Sequence, residues 1–543
     1  MPASDDRVSR AAREVLGFRA LRPGQGEAVE SVLAGRDTLA VLSTGSGKSA
    51  IYQLAGLFME GPTLVVSPLI ALQRDQVDGL REKALAAAQL NSSLRVSERA
   101  RALADLADDA LEFLFLAPEQ LANAEVLDQL AAARPSLVVV DEAHCISEWG
   151  HDFRPDYLRL GAAIETLGHP TVLALTATAA PPVREEIVQR LGLRDPELVV
   201  RGFDRPNIDL AVERFHDERR QREALLDRAA EAPKPGIVYA ATRRATEELA
   251  AELQDRGVRA AAYHAGLKAS EREATQERFM DSDEEVIVAT TAFGMGVDKS
   301  DVRFVFHAHV PDSVDSYFQE VGRAGRDGEP SEAVLFYRPE DLGLRRFFAG
   351  GGQLRVDELR EVAEIVSRAP DPIEPTDLQE RTELSQSKLA TAISRLEDAG
   401  AVEVLPTGHV ARPARAPPLE EAVEEAFQTE EHRREFERSR LEMIRSFAET
   451  DGCRREFVLT YFGEPFEAPC GRCDNCRAGL VEAGDDDDAP FALGARVAHP
   501  EWGEGVVQRY DGDRAVVVLF DDVGYKTLAL DVVIERALLR AAG

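Results

Sequence analysis

Two adjacent carboxylates, Asp141 and Glu142, follow four apolar residues at positions 137–140. A short apolar run that ends in polar residues is typical of a buried parallel strand. Carboxylates at the end of such a strand can hold Mg²⁺ together with the phosphate oxygens of a nucleotide. We therefore predict that Asp141 is a magnesium ligand and that Glu142 orients the water molecule that attacks the phosphate.

A glycine-rich loop gives the second chemical signal. The sequence STGSGKS at positions 43–49 follows an apolar run and precedes a helical pattern, with Leu42 where the strict motif has its first glycine. In such a loop, main-chain N–H groups surround the phosphates, the lysine reaches the β and γ phosphates, and the last hydroxyl faces Mg²⁺. The predicted nucleotide-binding residues of the loop are Thr44, Gly45, Ser46, Gly47, Lys48 and Ser49.

Aromatic side chains recur at helix-like spacing after the acidic pair, at Trp149, Phe153 and Tyr157, with His151 and Arg154 between them. One interpretation puts these rings in the protein core. Because polar residues surround them, we favour a surface on which the bases of single-stranded nucleic acid stack.

The uninterrupted stretch at positions 141–157, DEAHCISEWGHDFRPDY, resembles motif II and the aromatic-rich loop of RecQ-type superfamily 2 DNA helicases. The resemblance extends over roughly residues 10–345. It implies two RecA-like lobes that share one ATP, and an aromatic loop that couples DNA binding to hydrolysis. The alternation of strand and helix patterns along the same region predicts an α/β fold with parallel sheets flanked by helices.

Further strings are similar to motifs of this family. In GFRALRPGQ, the resemblance assigns Phe18 to stacking on adenine and Gln25 to hydrogen bonding with its edge, with Arg22 beside them. Taken alone, this string would also fit a capped surface helix with one core aromatic residue. Thr176 and Thr178 resemble the motif that couples the ATP state to DNA, although hydroxyl residues are ordinary at the end of a strand.

Two arginines stand three positions apart in QEVGRAGRD, residues 319–327. Arginines at a loop-to-helix junction can be aimed across a cleft at a γ-phosphate. By resemblance Arg326 is this arginine finger, and Gln319 and Arg323 support it. A solvated arginine pair is the alternative. The string RGFDRPN, residues 201–207, resembles the point where the chain of this family crosses into its second lobe.

After the lobes, the pattern of residues 355–412 is helix, helix, helix and hairpin, which is typical of a winged helix. Its predicted recognition helix offers Lys388 and Arg395 as cations, so a DNA-binding role and a purely structural role both stay open. In better known family members a winged helix follows the zinc module, whereas this segment precedes the cysteines.

Cysteine spacing predicts a metal centre. Four thiolates with Cys-x-x-Cys-x-x-Cys at one end suit a closed tetrahedral Zn²⁺ site, and an iron–sulfur cluster is the alternative. The strings CRREFVLTYFGE and CDNC resemble the RecQ zinc module, which favours zinc. The predicted ligands are Cys453, Cys470, Cys473 and Cys476.

The C-terminal part begins with four consecutive aspartates at positions 485–488, which predict a linker, and continues with short apolar runs typical of a small β-barrel. The string HPEWGEG at positions 499–505 is similar to the Tudor-like end module of superfamily 1 repair helicases. A barrel tethered in this way is expected to act outside strand separation. Trp502 either anchors a protein partner from the transcription or repair machinery or fills the barrel core.

The predicted organisation is therefore two RecA-like lobes, a winged-helix-like segment, a helical zinc module, an acidic linker and a Tudor- or SH3-like barrel. Their predicted bounds are 1–203, 204–350, 351–418, 419–483, 484–490 and 491–543.

Net charge opposes nucleic-acid binding. The 543 residues carry a formal charge of −33, whereas nucleic-acid binders usually present basic surface. A local groove of arginines would overcome this, so we expect weak, strongly salt-sensitive DNA binding. No secretory signal or membrane-spanning run is visible, so we expect a cytoplasmic protein with no membrane partner.

The sequence thus predicts a DNA helicase that uses ATP, Mg²⁺ and Zn²⁺. By resemblance it would move 3'-to-5' on single-stranded DNA and act on tailed or forked duplexes in repair or recombination. A DExH RNA helicase is one alternative, which the aromatic loop argues against. A non-catalytic repair adaptor is another, and the set of Lys48, Asp141, Glu142 and Arg326 argues against it.

Overall fold

The structure, a computed structural model, describes residues 2–147, 154–294, 299–343, 354–405, 408–481, 490–511 and 514–542. Two parallel sheets come first along the chain, followed by a helical segment, a cysteine-rich module and an antiparallel sheet. This arrangement confirms the predicted α/β class with two RecA-like lobes. None of the helices in the described ranges is both long and apolar enough to cross a membrane.

The first lobe is built on seven strands that all run parallel. They are β1 (Thr38–Leu42), β2 (Thr63–Val66), β3 (Ala87–Leu90), β4 (Phe113–Leu116), β5 (Leu137–Val140), β6 (Thr171–Thr176) and β7 (Glu197–Arg201). Their spatial order is β3-β4-β2-β5-β6-β1-β7. Leu39 and Val41 pack into one apolar cluster, and Ala40 and Leu42 pack into another. Both faces of the sheet are therefore buried, which is why its central strands are rich in apolar residues at successive positions.

Helices cover the two faces of this sheet. They are α1 (Pro2–Glu14), α2 (Gln25–Leu33), α3 (Ser49–Gly56), α4 (Ile70–Glu82), α5 (Val96–Ala107), α6 (Ala124–Ala132), α7 (Leu160–Thr166) and α8 (Pro181–Leu191). Local sequence explains several of their ends. Asn123 caps α6 by accepting hydrogen bonds from two main-chain N–H groups, and Pro181 begins α8, where its missing N–H costs nothing.

The second lobe repeats the plan with six parallel strands. They are β8 (Ile208–Arg214), β9 (Gly236–Tyr239), β10 (Ala260–Tyr263), β11 (Val286–Ala289), β12 (Phe304–His307) and β13 (Ser331–Tyr337). Their order is β10-β11-β9-β12-β13-β8. The helices are α9 (Glu218–Glu231), α10 (Arg243–Asp255), α11 (Ala269–Met280) and α12 (Val314–Val321). Parallel strands end at one edge of a sheet, so the loops that follow them are gathered at that edge.

The segment after the lobes contains α13 (Val356–Arg368), α14 (Pro375–Thr382), α15 (Gln386–Asp398) and a hairpin of β14 (Glu403–Val404) with β15 (Val410–Ala411). Its two candidate DNA-binding cations are both paired. Lys388 Nζ lies 2.9 Å from Glu358 Oε1, and Arg395 Nε lies 3.1 Å from Glu430 Oε2. Because the Arg395 side chain is 1% exposed, α15 does not present it to a phosphate, and these contacts favour the structural interpretation.

The zinc module follows with α16 (Leu419–Glu449), α17 (Arg454–Tyr461) and α18 (Asp474–Arg477). The long helix α16 packs into two different hydrophobic cores, one near its start and one near its end. Ala422 and Val423, near its start, pack with the helices of the preceding segment. Ile444 and Phe447, near its end, join the apolar cluster that also contains residues of both lobes.

The C-terminal sheet comprises β16 (Arg496–His499), β17 (Gly503–Asp511), β18 (Ala515–Phe520), β19 (Gly524–Ala529) and β20 (Arg540–Ala541), with α19 (Leu530–Arg536) between the last two strands. Its strands are antiparallel, in the order β19-β18-β17-β16-β20. Within the described residues β19 and β20 are edges, so the strand pairing forms a sheet and does not close the predicted barrel.

This sheet packs firmly on the zinc module. The Tyr525 ring stacks on Tyr461 with centroids 5.3 Å apart and lies 6.2 Å from the ring of Phe436. The Arg509 guanidinium lies 3.9 Å from the centroid of Phe457. The sequence predicts a module that is tethered separately from the rest of the chain. This prediction is wrong, because the aromatic residues that the sheet contacts lie on α16 and α17. The predicted linker itself falls largely on residues outside the described ranges.

Trp502 is held within the sheet. Its ring stacks on His499 with centroids 4.1 Å apart and meets the edge of Phe520 at 5.5 Å. Of the two interpretations of Trp502, these contacts favour the one in which the ring fills the core of its own domain.

The packing of the sheet generates a stability prediction. Tyr525→Ala removes a ring that is 4% exposed, so we expect a loss of about 3 kcal/mol in the free energy of unfolding. Ile534→Ala, at a position that is 61% exposed in the same domain, should change it by less than about 0.5 kcal/mol. Thermal and urea unfolding of both variants measure the difference. If the two variants were equally stable, the packing of Tyr525 on the zinc module would contribute nothing to stability, as expected of a separately tethered sheet.

Candidate active site and metal centre

The loop after β1 has the geometry of a phosphate-binding loop. Gly45 and Gly47 adopt left-handed conformations, with φ of +79° and +75°, which side-chain-bearing residues rarely adopt. Lys48 Nζ donates to Leu42 O at 3.2 Å, so the ammonium group lies over the loop. Ser49 begins α3, whose N-terminus faces the same space. Main-chain N–H groups at such a helix start favour a bound anion.

Gln25 holds this loop from outside. Its Nε2 donates to Ser46 O at 2.8 Å and to Gly47 O at 2.9 Å, while its Oε1 accepts from Arg22 N at 2.8 Å. Arg22 in turn donates to Gly45 O. Gln25 thus braces the phosphate loop, a role that the sequence did not predict. Its predicted contact with the edge of adenine stays a prediction, as does the stacking of Phe18.

The acidic pair lies directly after β5. Burial raises the pKa of the Asp141 carboxyl to about 7, and the neighbouring Glu142 adds to the effect. Burial lowers the pKa of Lys48, although Glu142 and Asp141 act in the opposite direction. Glu142 has φ of +48°, an unfavourable backbone conformation for a residue with a side chain. A bound divalent cation would stabilise the ionised form of the Asp141 carboxyl.

His144 connects the acidic pair to the end of β6. Its Nδ1 lies 2.8 Å from Thr176 Oγ1 and 3.3 Å from Glu142 Oε2, and the ring is fully buried. Thr176 Oγ1 also donates to Thr178 O at 3.1 Å. The two threonines are predicted from the sequence, whereas the histidine is not. The signal was available, since His144 belongs to the same DEAH string as Glu142.

The predicted DNA-coupling residues are only partly visible. Trp149, His151 and Phe153 lie outside the described residues. Arg154 Nη1 donates to Pro68 O at 3.2 Å, so it contacts the loop after β2. Tyr157 is fully buried and its hydroxyl donates to Asp141 O at 3.0 Å. For Tyr157 the prediction of a base-stacking surface is therefore wrong, because both ring faces are packed in the core.

The second lobe completes the site from the opposite side. A Cβ atom on Gly45 would stand 3.1 Å from Arg326 Cγ, and one on Gly322 would stand 3.0 Å from Thr44 Cβ. The phosphate loop and the arginine-bearing turn are thus in van der Waals contact, and glycines permit the approach. Arg323 is 4% exposed.

One cleft of about 550 Å³ joins these groups. It is lined by residues of both lobes, among them Phe18, Gln25, Lys48, Ser49, Asp141, Glu142, Gln319, Arg323 and Arg326. Ser46 Oγ is buried beside it and has no hydrogen-bond partner among the described residues, as expected if a ligand supplies one. Cations, loop N–H groups and two carboxylates in one cleft suit a nucleoside triphosphate with a divalent cation.

The four predicted cysteines meet at one point. All four Sγ atoms lie within 4.8 Å of one another, and Cys470 Sγ is 3.8 Å from Cys476 Sγ. Thiolates about 2.3 Å from a tetrahedral Zn²⁺ stand about 3.8 Å apart, so the arrangement fits a single ion. Main-chain N–H groups of Arg472 and Cys473 donate to Cys470 Sγ at 3.4 and 3.3 Å, which favours its thiolate form. An iron–sulfur cluster would spread the ligands over several irons and is disfavoured.

Comparisons with known proteins agree with this architecture. Family models match for the DEAD/DEAH box helicase over residues 22–187, the helicase conserved C-terminal domain over residues 220–328, and the RecQ zinc-binding module over residues 418–477. Fold and site therefore define a two-lobed, ATP-binding helicase with a RecQ-type zinc module.

Relatives narrow the class further. The probable ATP-dependent DNA helicase RecS of Bacillus subtilis is 36% identical over 475 residues, which cover 87% of this chain and 92% of that protein. RecQ of Synechocystis is 36% identical over 87% of this chain and 98% of that protein. The chain belongs to the RecQ family of ATP-dependent DNA helicases. It covers 65% of the longer RecQ of Pasteurella multocida, at 36% identity.

Solved structures support the fold. The Lhr helicase of Mycobacterium smegmatis, bound to single-stranded DNA and AMP-PNP, aligns with a TM-score of 0.51 and 23% identity over 78% of this chain and 61% of that chain. The helicase MrfA bound to DNA aligns with a TM-score of 0.53 and 18% identity over 78% of this chain and 64% of that chain. At these identities the likeness concerns the fold alone.

The metal centre generates the second prediction. Cys473→Ser should lose the bound zinc and melt at a lower temperature, because three thiolates leave the tetrahedral site open and the module depends on the metal for its fold. Elemental analysis and thermal melting measure the two effects. Cys145→Ser, a buried cysteine outside the cluster, should keep the zinc whatever its melting temperature. Iron in the purified protein, or full zinc content in Cys473→Ser, would contradict the assignment.

Proposed function

We propose that this helicase hydrolyses ATP with Mg²⁺ in the cleft between its lobes, moves 3'-to-5' along single-stranded DNA, and separates tailed or forked duplexes in DNA repair or recombination. The observation that carries the proposal is the contact of Gly45 with Arg326. A triphosphate held by the phosphate loop would have the arginine finger on its other side. The rate of ATP hydrolysis would therefore depend on how the two lobes are placed relative to each other.

Each cleft residue has a role in this proposal. Lys48 and the loop N–H groups would neutralise the phosphates, Glu142 would orient the attacking water, and Arg326 would stabilise the charge that develops in the transition state. Gln319 and Arg323 would support the finger. A bound Mg²⁺, held by Asp141 and Ser49, would neutralise charge on the phosphate oxygens. Such groups act by position and electrostatics, since phosphoryl transfer needs little covalent help from the protein.

A hydrogen-bonded path supports coupling between this chemistry and DNA. Glu142 and Thr176 both lie within reach of His144. Arg154, near the end of the aromatic loop, donates from its main-chain N–H to Cys145 O at 2.9 Å and from Nη1 to Pro68 O in the loop after β2. A change at the phosphates would therefore reach two strand-end loops that face the same edge of the sheet. We propose that Trp149, His151 and Phe153 complete this path by contacting single-stranded DNA.

Turnover with different nucleic acids tests the proposed substrate. We expect ATP hydrolysis to rise by at least tenfold with single-stranded DNA and to rise little with RNA of the same sequence, and we expect the stimulation to fall steeply with salt, since phosphate contacts are screened. Stronger stimulation by RNA would favour the DExH RNA helicase. Absence of turnover under every condition would favour the adaptor. A tailed duplex with only a 3' or only a 5' single strand tests the polarity.

Substitutions in the cleft test the roles of its residues. Lys48→Ala and Glu142→Gln should each lower turnover about a hundredfold or more while the fold stays intact, because each removes a group that acts on the reacting phosphate. Steady-state hydrolysis and thermal melting measure the two properties. Lys388→Ala, which alters a lysine outside the cleft, should keep wild-type turnover. Near-normal turnover in Lys48→Ala or Glu142→Gln would contradict the assignment.

A protein partner for the C-terminal domain stays a prediction. A cytoplasmic location likewise stays a prediction.

A further inference from the structure

One side chain spans the two lobes at the point where the chain crosses between them. Arg205 Nη2 donates to Ala324 O at 2.7 Å and to Gly325 O at 2.9 Å, and its Nη1 donates to Gly322 O at 3.1 Å. The same Nη1 also reaches Thr44 O in the phosphate loop at 3.4 Å. Three of the four acceptors thus belong to the turn that carries Arg323 and Arg326, and the fourth belongs to the other lobe.

The acceptors explain why an arginine is needed. Helix α12 ends at Val321, and the carbonyl groups after it have no partners within the helix. A cation near a helix C-terminus is favourable, and the planar guanidinium can serve several carbonyls at once. Asn207 assists, because its Nδ2 donates to Gly325 O at 2.8 Å and to Glu329 O at 3.0 Å. The crossing string therefore holds the turn of the arginine finger by side-chain hydrogen bonds.

The backbone of the crossing string is itself fixed by the zinc module. Arg455 Nη2 donates to Arg205 O at 3.1 Å and to Ile208 O at 3.0 Å. The ring of Phe203 stacks on Phe462 with centroids 4.7 Å apart and planes within 5° of parallel. Because the zinc module holds the crossing string at Phe203 and at the carbonyl group of Arg205, the Arg205 side chain extends from an anchored backbone.

Electrostatics favour a ligand between these groups. Burial lowers the pKa of Arg205 to about 10, and the nearby cations Arg326 and Arg22 contribute. At neutral pH the side chain stays protonated, so three guanidinium groups converge on the phosphate loop. A polyanion bound there would offset their mutual repulsion.

We propose that Arg205 is a positioning residue for ATP hydrolysis, which orients the turn of Arg326 against the phosphate loop and makes the placement of the finger depend on contact with Thr44. This inference rests on the proposed function, in which Arg326 is the arginine finger. It assigns to the crossing string a role that goes beyond connecting the lobes.

The test measures kcat and KM for ATP at saturating single-stranded DNA, together with the affinity for a fluorescent ATP analogue, in the full-length, zinc-loaded protein. Arg205→Lys keeps the charge but replaces the planar fork by a single point donor. We expect kcat to fall about ten- to a hundredfold, because the finger is misplaced, while the affinity for the analogue changes less than about threefold. A wild-type kcat would overturn the proposal.

A double variant separates positioning from a general structural role. If Arg205 acts through Arg326, then Arg205→Lys combined with Arg326→Ala should hydrolyse ATP at the rate of Arg326→Ala alone, because the two effects are not additive. A further fall by the factor seen in the single variant would overturn the proposal. The rates of ATP hydrolysis are compared at a temperature at which melting curves show that all variants are folded. A difference in rate between variants is then not caused by unfolding.

Arg214→Lys is the matched control. Arg214 also donates to main-chain carbonyls across a module boundary, those of Ala448 and Thr450 at 3.1 Å, but neither acceptor belongs to the phosphate loop or to the turn of Arg326. It should keep wild-type kcat, and an equal loss in Arg214→Lys would overturn the proposal. Wild-type turnover in Arg326→Ala would overturn the finger assignment itself. If kcat falls in Arg326→Ala but not in Arg205→Lys, the proposal about Arg205 is overturned while the assignment of Arg326 as the finger is kept.

Discussion

The relative placement of the two lobes depends on four arginine side chains, each of which donates hydrogen bonds to main-chain carbonyl groups across a boundary between modules. Arg205 joins the two lobes, Arg455 and Arg472 join the zinc module to the crossing string, and Arg184 joins the first lobe to Phe462. Bonds to a charged donor contribute about 1.5–3 kcal/mol each, and loss of one partner leaves a buried charge. Unfolding of the zinc module would therefore remove the hydrogen bonds that Arg455 and Arg472 donate to the crossing string.

This use of arginine also explains how a chain with a net charge of −33 can contain a phosphate-binding cleft. Many cations are neutralised inside the protein, as Lys388 is by Glu358 and Arg395 by Glu430. Around the phosphate loop, by contrast, Arg205 lies close to two other arginines, Arg326 and Arg22. Positive charge is thus brought together beside the phosphate loop, whereas Lys388 and Arg395 of the winged-helix-like segment are paired with carboxylates. Total charge is a poor guide to where an anion binds, because the local field decides.

Helix α16 contacts each of the modules that follow the lobes. Its first half packs with the helices of the winged-helix-like segment, and its second half packs with the lobes and with the C-terminal sheet. The phenolic group of Tyr461 donates to Asp315 Oδ2 at 2.5 Å, and Arg440 lies 3.5 Å from the same oxygen. A polar cluster buried under the Tyr525 ring thus ties the second lobe, the zinc module and the sheet together. The sheet is consequently part of the structural unit that carries the cleft.

The sequence by itself determined which chemical groups the site contains, because short motifs keep their residues adjacent. The phosphate loop, the acidic pair after β5, the paired arginines and the four cysteines each follow from residue type and spacing, and parallel strands bring the first two to one edge. Contacts between distant residues were decided only by the tertiary structure. Tyr157 is buried because the core closes over it, Gln25 turns to the loop at Ser46, and Arg205 finds its acceptors more than a hundred residues away. The sequence pattern specifies which side chains are polar or apolar. The partner of each side chain is decided by tertiary packing, because packing brings together segments that are far apart in the sequence.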